Sequence, residues 1–208
     1  MRYRIKICGL TDAGQALTAA RAGADAIGLV FYARSRRAVG IEQAAAIAAA
    51  LPPFVATVGL FVDPAVGEVE TVLDRCRLDF LQFHGAETAA FCAGFGLPYL
   101  KAIAMGGGRD PRPEMDAHPQ ARGFLLDSHA DGKMGGSGQA FDWRSIPGPL
   151  ERPWLLAGGL DARNVRQALA LACPYGVDVS SGVESTPGQK DPRLVRDFVE
   201  SVRQVERE

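Results

Sequence analysis

Eight short apolar runs recur along the chain, and the pattern inside them differs from the pattern between them. They are RIKICGL (4–10), AIGLVF (26–31), FVATVGLFV (54–62), FLQFHG (80–85), YLKAIAM (99–105), GFLLDS (123–128), WLLAGGL (154–160) and GVDVSSG (176–182). Several are apolar at consecutive positions, as parallel strands covered on both faces require. The intervening segments carry helical spacing. Asp63-Pro64 reads as a cap and first-turn pair ahead of a stripe of Val66, Val69, Val72, Leu73 and Cys76. Asp161 opens a second stripe of Val165, Ala168, Leu169 and Ala172, and the last stripe is Leu194, Val195, Phe198, Val199, Val202 and Val205. Strand-helix-strand alternation with short connections implies right-handed parallel crossovers, and eight such units close into a single α/β (βα)8 barrel of the TIM type. An open doubly wound sheet is the competing arrangement. Residues 106–119, GGGRDPRPEMDAHP, are rich in Gly and Pro, so the fifth helical unit is expected to be degraded to a loop or a single turn. Residues 129–150 read as similarly loose, which lets a barrel fit 208 residues where about 250 is typical.

Composition narrows the function. At 208 residues and 47% hydrophobic content, one domain spanning 1–208 is expected. The 23 Lys+Arg against 24 Asp+Glu give a net charge of -1, and no basic run suggests a nucleic-acid groove or an anionic membrane surface. An anionic ligand must therefore be caught locally. The first residues run straight into a strand with no signal-peptide pattern, and there is no 18-residue apolar stretch, so a cytoplasmic protein is expected. Four cysteines without C-x-x-C spacing or clustered histidines predict neither a zinc site nor a disulfide framework. Cys76, Cys92 and Cys173 read as buried small hydrophobes.

In a barrel of this kind the reacting groups sit at the carboxyl ends of the strands. Here those ends are polar: Cys8, Asp63, Gln82 and His84, Asp127 and Ser128, Gly158 and Gly159, Ser180, Ser181 and Gly182. The small residues after the seventh and eighth runs fit a phosphate site, because backbone N–H groups reach a ligand only where side chains are small. Glycines that merely permit tight turns are the plainer alternative. Strand alternation places Lys6 on the same face as Cys8, near enough for an ammonium to favour the thiolate, making Cys8 a base or nucleophile. Asp127 closes an apolar run where a carboxylate needs partners; a capping role and an acid role are both open. Arg34, Arg36 and Arg37 lie on a loop that overhangs the mouth, and an arginine there can fork onto a substrate carboxylate. His84 is a possible substrate contact.

These elements resemble phosphoribosylanthranilate isomerase, an enzyme family of tryptophan biosynthesis. The matching segments are KICGLT (6–11), GADAIGLVFYARSRRAV (23–39), VGLFVD (58–63), LQFHG (81–85), LLDS (125–128), GGSGQAFDW (135–143), LAGGLDARNV (156–165) and GVDVSSGVESTPGQKD (176–191). The resemblance spans nearly the whole chain in order. It implies a barrel that converts N-(5-phosphoribosyl)anthranilate to 1-(2-carboxyphenylamino)-1-deoxyribulose 5-phosphate, an Amadori rearrangement with no metal and no organic cofactor. It implies Cys8 as general base, Asp127 as general acid and Arg36 on the anthranilate carboxylate. Phosphate falls to Gly158, Gly159, Ser180, Ser181 and Gly182, with Lys6, His84 and Asp178 as further substrate contacts. Phe83 and Ser137 depart mildly from the family pattern and 106–119 departs more. The expected partner is a small phosphorylated substrate, and members occur as monomers or homodimers. Two other readings compete: a bifunctional histidine/tryptophan barrel, which typically uses paired aspartates, and a non-catalytic phosphometabolite-binding barrel, which needs neither Cys8 nor Asp127.

Overall fold

The structure, a computed structural model, describes residues 2–128 and 142–207. The eight apolar runs form eight parallel strands: β1 Arg4–Cys8, β2 Ala26–Val30, β3 Ala56–Phe61, β4 Phe80–Phe83, β5 Tyr99–Ala104, β6 Gly123–Asp127, β7 Trp154–Leu156 and β8 Gly176–Val179. Pairing of β1 with β8, with Lys6 opposite Asp178, closes the ring and excludes the open sheet. Alternation along β1 sends Ile5 and Ile7 into the layer between barrel and helices, and Cys8 into a small interior cluster with Val30 and Leu60. Ala102, Leu125 and Ala157 form a second interior cluster. The barrel is thus a packed core, which also takes in Lys6, Gln82, Lys101 and Asp178 from within its strands.

The helices are α1 Ala13–Ala22, α2 Ile41–Ala50, α3 Val66–Arg75, α4 Ala89–Ala93, α5 Arg112–Ala117, α6 Val165–Ala172 and α7 Pro192–Val205. Their predicted stripes largely hold: Val69 and Val72 of α3, Val165, Ala168 and Leu169 of α6, and Val195, Phe198, Val199 and Val202 of α7 are buried. Val66 and Leu194 face solvent instead. The Asp63-Pro64 cap is not observed. Ala65 caps α3, its N–H donating to Glu68 Oε2 at 2.7 Å, while Asp63 sits in the left-handed region (φ 45°) and its carboxylate accepts from the Ala86 N–H at 2.7 Å. Asp161 lies ahead of α6, accepting from the N–H groups of Arg163 and Asn164 at 2.8 and 3.1 Å. Cys76 and Cys92 are buried, but Cys173 is exposed: it ends α6 in the left-handed conformation (φ 46°), where the chain turns outward.

The expected loop at 106–119 contains a short helix, α5. Pro111 and Pro113 sit at its start, where prolines cost no hydrogen bond. Its other end is completed from a distance. The Arg152 guanidinium donates to the carbonyls of Met115, His118 and Pro119 at 3.1, 3.0 and 3.1 Å, reaches that of Ala121, and lies over the Phe124 ring. The crossover without an α-helix among the described residues is the sixth, which shows one 3-10 turn at Trp143–Ser145. Most of the GGSGQAFDW segment lies outside the described residues. Between β8 and α7 the chain makes a 3-10 turn at Ser181–Val183 and a small antiparallel hairpin, β9 Glu184–Thr186 and β10 Gln189–Lys190, which the hydrophobic pattern did not announce. Among the described residues no helix is long and apolar enough to cross a membrane.

Candidate active site

Cys8 ends β1 and is 6% exposed. It faces β2 at Gly28, where a Cβ would lie 2.7 Å from its Sγ and 3.1 Å from Lys6 Nζ, so only glycine leaves room for both side chains. The expected closeness of Lys6 and Cys8 is therefore present, but the ammonium is shared. Lys6 Nζ donates to Asp178 Oδ1 at 2.9 Å, and both side chains are buried. Burial opposes the Lys6 ammonium, yet Asp178 and the Cys8 sulfur outweigh it and hold the Lys6 pKa above its ordinary value. Burial pushes the Asp178 carboxyl up; Lys6 pulls it down, and the Asp127 carboxylate pushes the same way as burial. Burial likewise pushes the Cys8 thiol up, against the lowering by Lys6 and Lys190 and with a further push from Asp178.

Asp127 ends β6, with β7 and β8 between it and β1 around the ring, and is also 6% exposed. Ser128 Oγ approaches its Oδ1 at 3.5 Å, and His84 Nε2 stands 3.4 Å from its Oδ2. Gln82 Nε2 is 3.3 Å from His84 Nδ1, so the polar end of β4 lines up behind Asp127. His84 therefore faces the acid candidate.

The two small-residue turns meet. Gly158 and Gly159 take positive φ (86° and 64°), and a Cβ at position 158 would run into Ser128. A Cβ at position 182 would lie 1.9 Å from the Leu160 carbonyl oxygen, which packs the turn after β8 onto the turn after β7. Ser180 Oγ donates to the Cys8 carbonyl at 3.0 Å, tying the β8 turn to the end of β1. Gly158, Gly159, Ser180, Ser181 and Gly182 thereby line one side of the rim that also carries Cys8 and Asp127. Among the described residues no cluster of His, Cys, Asp and Glu is arranged to hold a metal ion.

The loop after β2 sends its arginines in different directions. Arg36 is exposed, whereas its neighbour Arg37 turns inward over Gly9. Arg37 Nε and Nη2 donate to the two Glu184 oxygens, each at 2.8 Å, and the Cys8 sulfur raises the Arg37 pKa further, after Glu184. Glu184 and Lys190 escaped the sequence reading, and Arg37 entered it only as one of three loop arginines. The available signal was the charged residues of ESTPGQKD directly after a strand end, where a solvated loop was the simpler assumption.

A family model described as N-(5'phosphoribosyl)anthranilate (PRA) isomerase matches residues 5–201. The chain belongs to this isomerase family. The N-(5'-phosphoribosyl)anthranilate isomerase of Azotobacter vinelandii is 54% identical over 200 residues, covering 96% of this chain and 97% of that protein. A solved phosphoribosyl anthranilate isomerase in complex with reduced 1-(o-carboxyphenylamino)-1-deoxyribulose 5-phosphate superposes with a TM-score of 0.82 at 34% identity, over 97% and 99% of the two chains. Monomers generated from the dimeric phosphoribosylanthranilate isomerase of Thermotoga maritima give 0.83 at 32% identity, again over 97% and 99%.

Proposed function

We propose that this isomerase opens and rearranges N-(5'-phosphoribosyl)anthranilate to 1-(2-carboxyphenylamino)-1-deoxyribulose 5-phosphate in tryptophan biosynthesis, with Asp127 as acid and Cys8 as base. The supporting observation is that these two buried groups occupy one rim, separated by the turns after β7 and β8. Asp127, in its acid form, protonates the furanose ring oxygen; the anilino nitrogen lone pair expels it and leaves a Schiff base. Cys8 as thiolate removes the proton on C2, and the resulting enolamine tautomerises to the ketone. The phosphate sits on the backbone N–H groups of Gly158, Gly159, Ser180, Ser181 and Gly182, in the position typical of such barrels. Lys6 and Asp178 lie beneath the sugar, and His84 braces the acid side.

The carboxylate role expected of Arg36 passes to Arg37, which faces the site. Its Nε and Nη2 serve Glu184, leaving Nη1 to meet the anthranilate carboxylate. Arg37→Lys should raise KM for the substrate roughly tenfold to a hundredfold through loss of a charge-assisted hydrogen bond, and Arg36→Lys should leave it within about twofold. The reading as a whole is tested by mixing purified protein with freshly generated substrate and following anthranilate fluorescence. Absence of turnover by a protein that still binds the product analogue would favour the non-catalytic barrel.

We infer further that the working form is a homodimer joined through the opposite end of the barrel. Phe54 is fully exposed there and held in the left-handed region (φ 69°), a strained placement for an aromatic residue. Beside it opens a cavity of about 470 Å³ lined by Phe80, Trp154, Tyr175, Arg4 and Arg122. Phe54 of each copy filling the cavity of the other makes a self-complementary two-fold contact. Sedimentation should give a dimer for the native chain and a monomer for Phe54→Glu; a native monomer at micromolar concentration would reject the arrangement.

A further inference from the structure

The hairpin between β8 and α7 carries a buried cation that the acid–base pair does not employ. Lys190 ends β10 with its side chain 2% exposed. Its Nζ donates to Glu184 Oε1 at 2.6 Å, to the Ser180 carbonyl at 3.1 Å and to Ser180 Oγ at 3.3 Å. Ser180 Oγ passes the chain on to the Cys8 carbonyl. From the other side the Lys190 N–H donates to Gln15 Oε1 at 3.2 Å, which fixes the hairpin to α1. Burying an ammonium is costly even when it is paired. Glu184 already has a bidentate partner in Arg37, so anchoring the hairpin does not require a second cation.

We propose that Lys190 is a positioning residue for Cys8: braced by Glu184 and Ser180, it fixes the end of β1 and supplies the positive potential under which the thiol yields its proton. The proposal rests on the reading of Cys8 as the base. Four charged groups from the surrounding elements act electrostatically with the sulfur: Lys6 on β1, Asp178 on β8, Lys190 on the hairpin and Arg37 on the loop after β2. Lys6 and Asp178 are neutral as a pair. Arg37 and Lys190 share one carboxylate, so their side of the site keeps a net positive charge. Burial holds the Lys190 ammonium below its ordinary pKa against the pull of Glu184, to which the Cys8 sulfur adds.

The test is the pH dependence of Cys8 alkylation by iodoacetamide in the free enzyme, in a Cys173→Ser background because Cys173 is exposed. Lys190→Met should move the midpoint up by about one unit, cutting thiolate roughly tenfold at neutral pH and kcat/KM with it. The alkaline limb of the kcat/KM profile should shift by the same amount, with a smaller change in KM. Lys190→Arg should restore the midpoint. An unmoved midpoint in folded Lys190→Met, judged by circular dichroism, overturns the proposal whatever happens to turnover. If Lys190→Met does not fold, Glu184→Gln decides: it leaves both cations and removes their counter-charge, so the midpoint should fall, and a midpoint that stays or rises rejects the idea. The base reading fails separately, by full activity in Cys8→Ala, which leaves the alkylation result of the other variants intact.

Discussion

Cys8→Ala is expected to lower kcat/KM by about 1,000-fold, within the range that a positioned general base contributes, while leaving the barrel folded. The side chain belongs to a small cluster with Val30 and Leu60, so losing one sulfur removes little packing. The pH profile separates a base from a bystander. Because burial holds the native thiol above its ordinary value, the limb of the kcat/KM profile that reports Cys8 should lie in the alkaline range. In Cys8→Ala that limb should disappear. Activity that falls but keeps the same slope would mean that another group takes the proton.

Asp127→Asn should have a comparable effect, about 1,000-fold on kcat/KM, through the first step instead of the second. Asparagine keeps the size and the neighbours at Ser128 and His84 but has no acidic proton for the ring oxygen. Binding of the reduced product analogue, measured by calorimetry, should change far less than turnover. A substrate supplied already as the open-chain Schiff base would bypass the defect. If Asp127→Asn is slow on that substrate as well, the carboxylate acts at a later step. Burial raises the Asp178 carboxyl, and the nearby Asp127 carboxylate adds to that push.

Strand positions were readable because burial on both faces leaves continuous apolar runs, and each run's polar end then marked the rim. Cys8, Asp127 and the two turns were placed on the rim that way. The loop arginines were not, because a strand fixes the side of each residue and a loop does not. Nothing in ARSRR distinguishes Arg36, which stays in solvent, from Arg37, which folds over Gly9 onto Glu184. Lys190 was hidden for a related reason: its partners Ser180 and Glu184 are close in sequence, but Cys8 and Gln15 are brought to it only by closure of the ring. The short α5 was missed because its stabilising group is remote. Prolines inside 106–119 argue against a helix, and the guanidinium that finishes it belongs to Arg152.

That last dependence bears on the order in which the chain can mature. The carbonyls at the end of α5 wait for a residue synthesised 31 to 37 positions later. A nascent chain halted after β6 has the fifth crossover in place but unfinished, and it locks only as β7 arrives. The fifth and seventh units are thus joined as one assembly step, and a fragment ending before Arg152 should show α5 as its least protected backbone in hydrogen exchange.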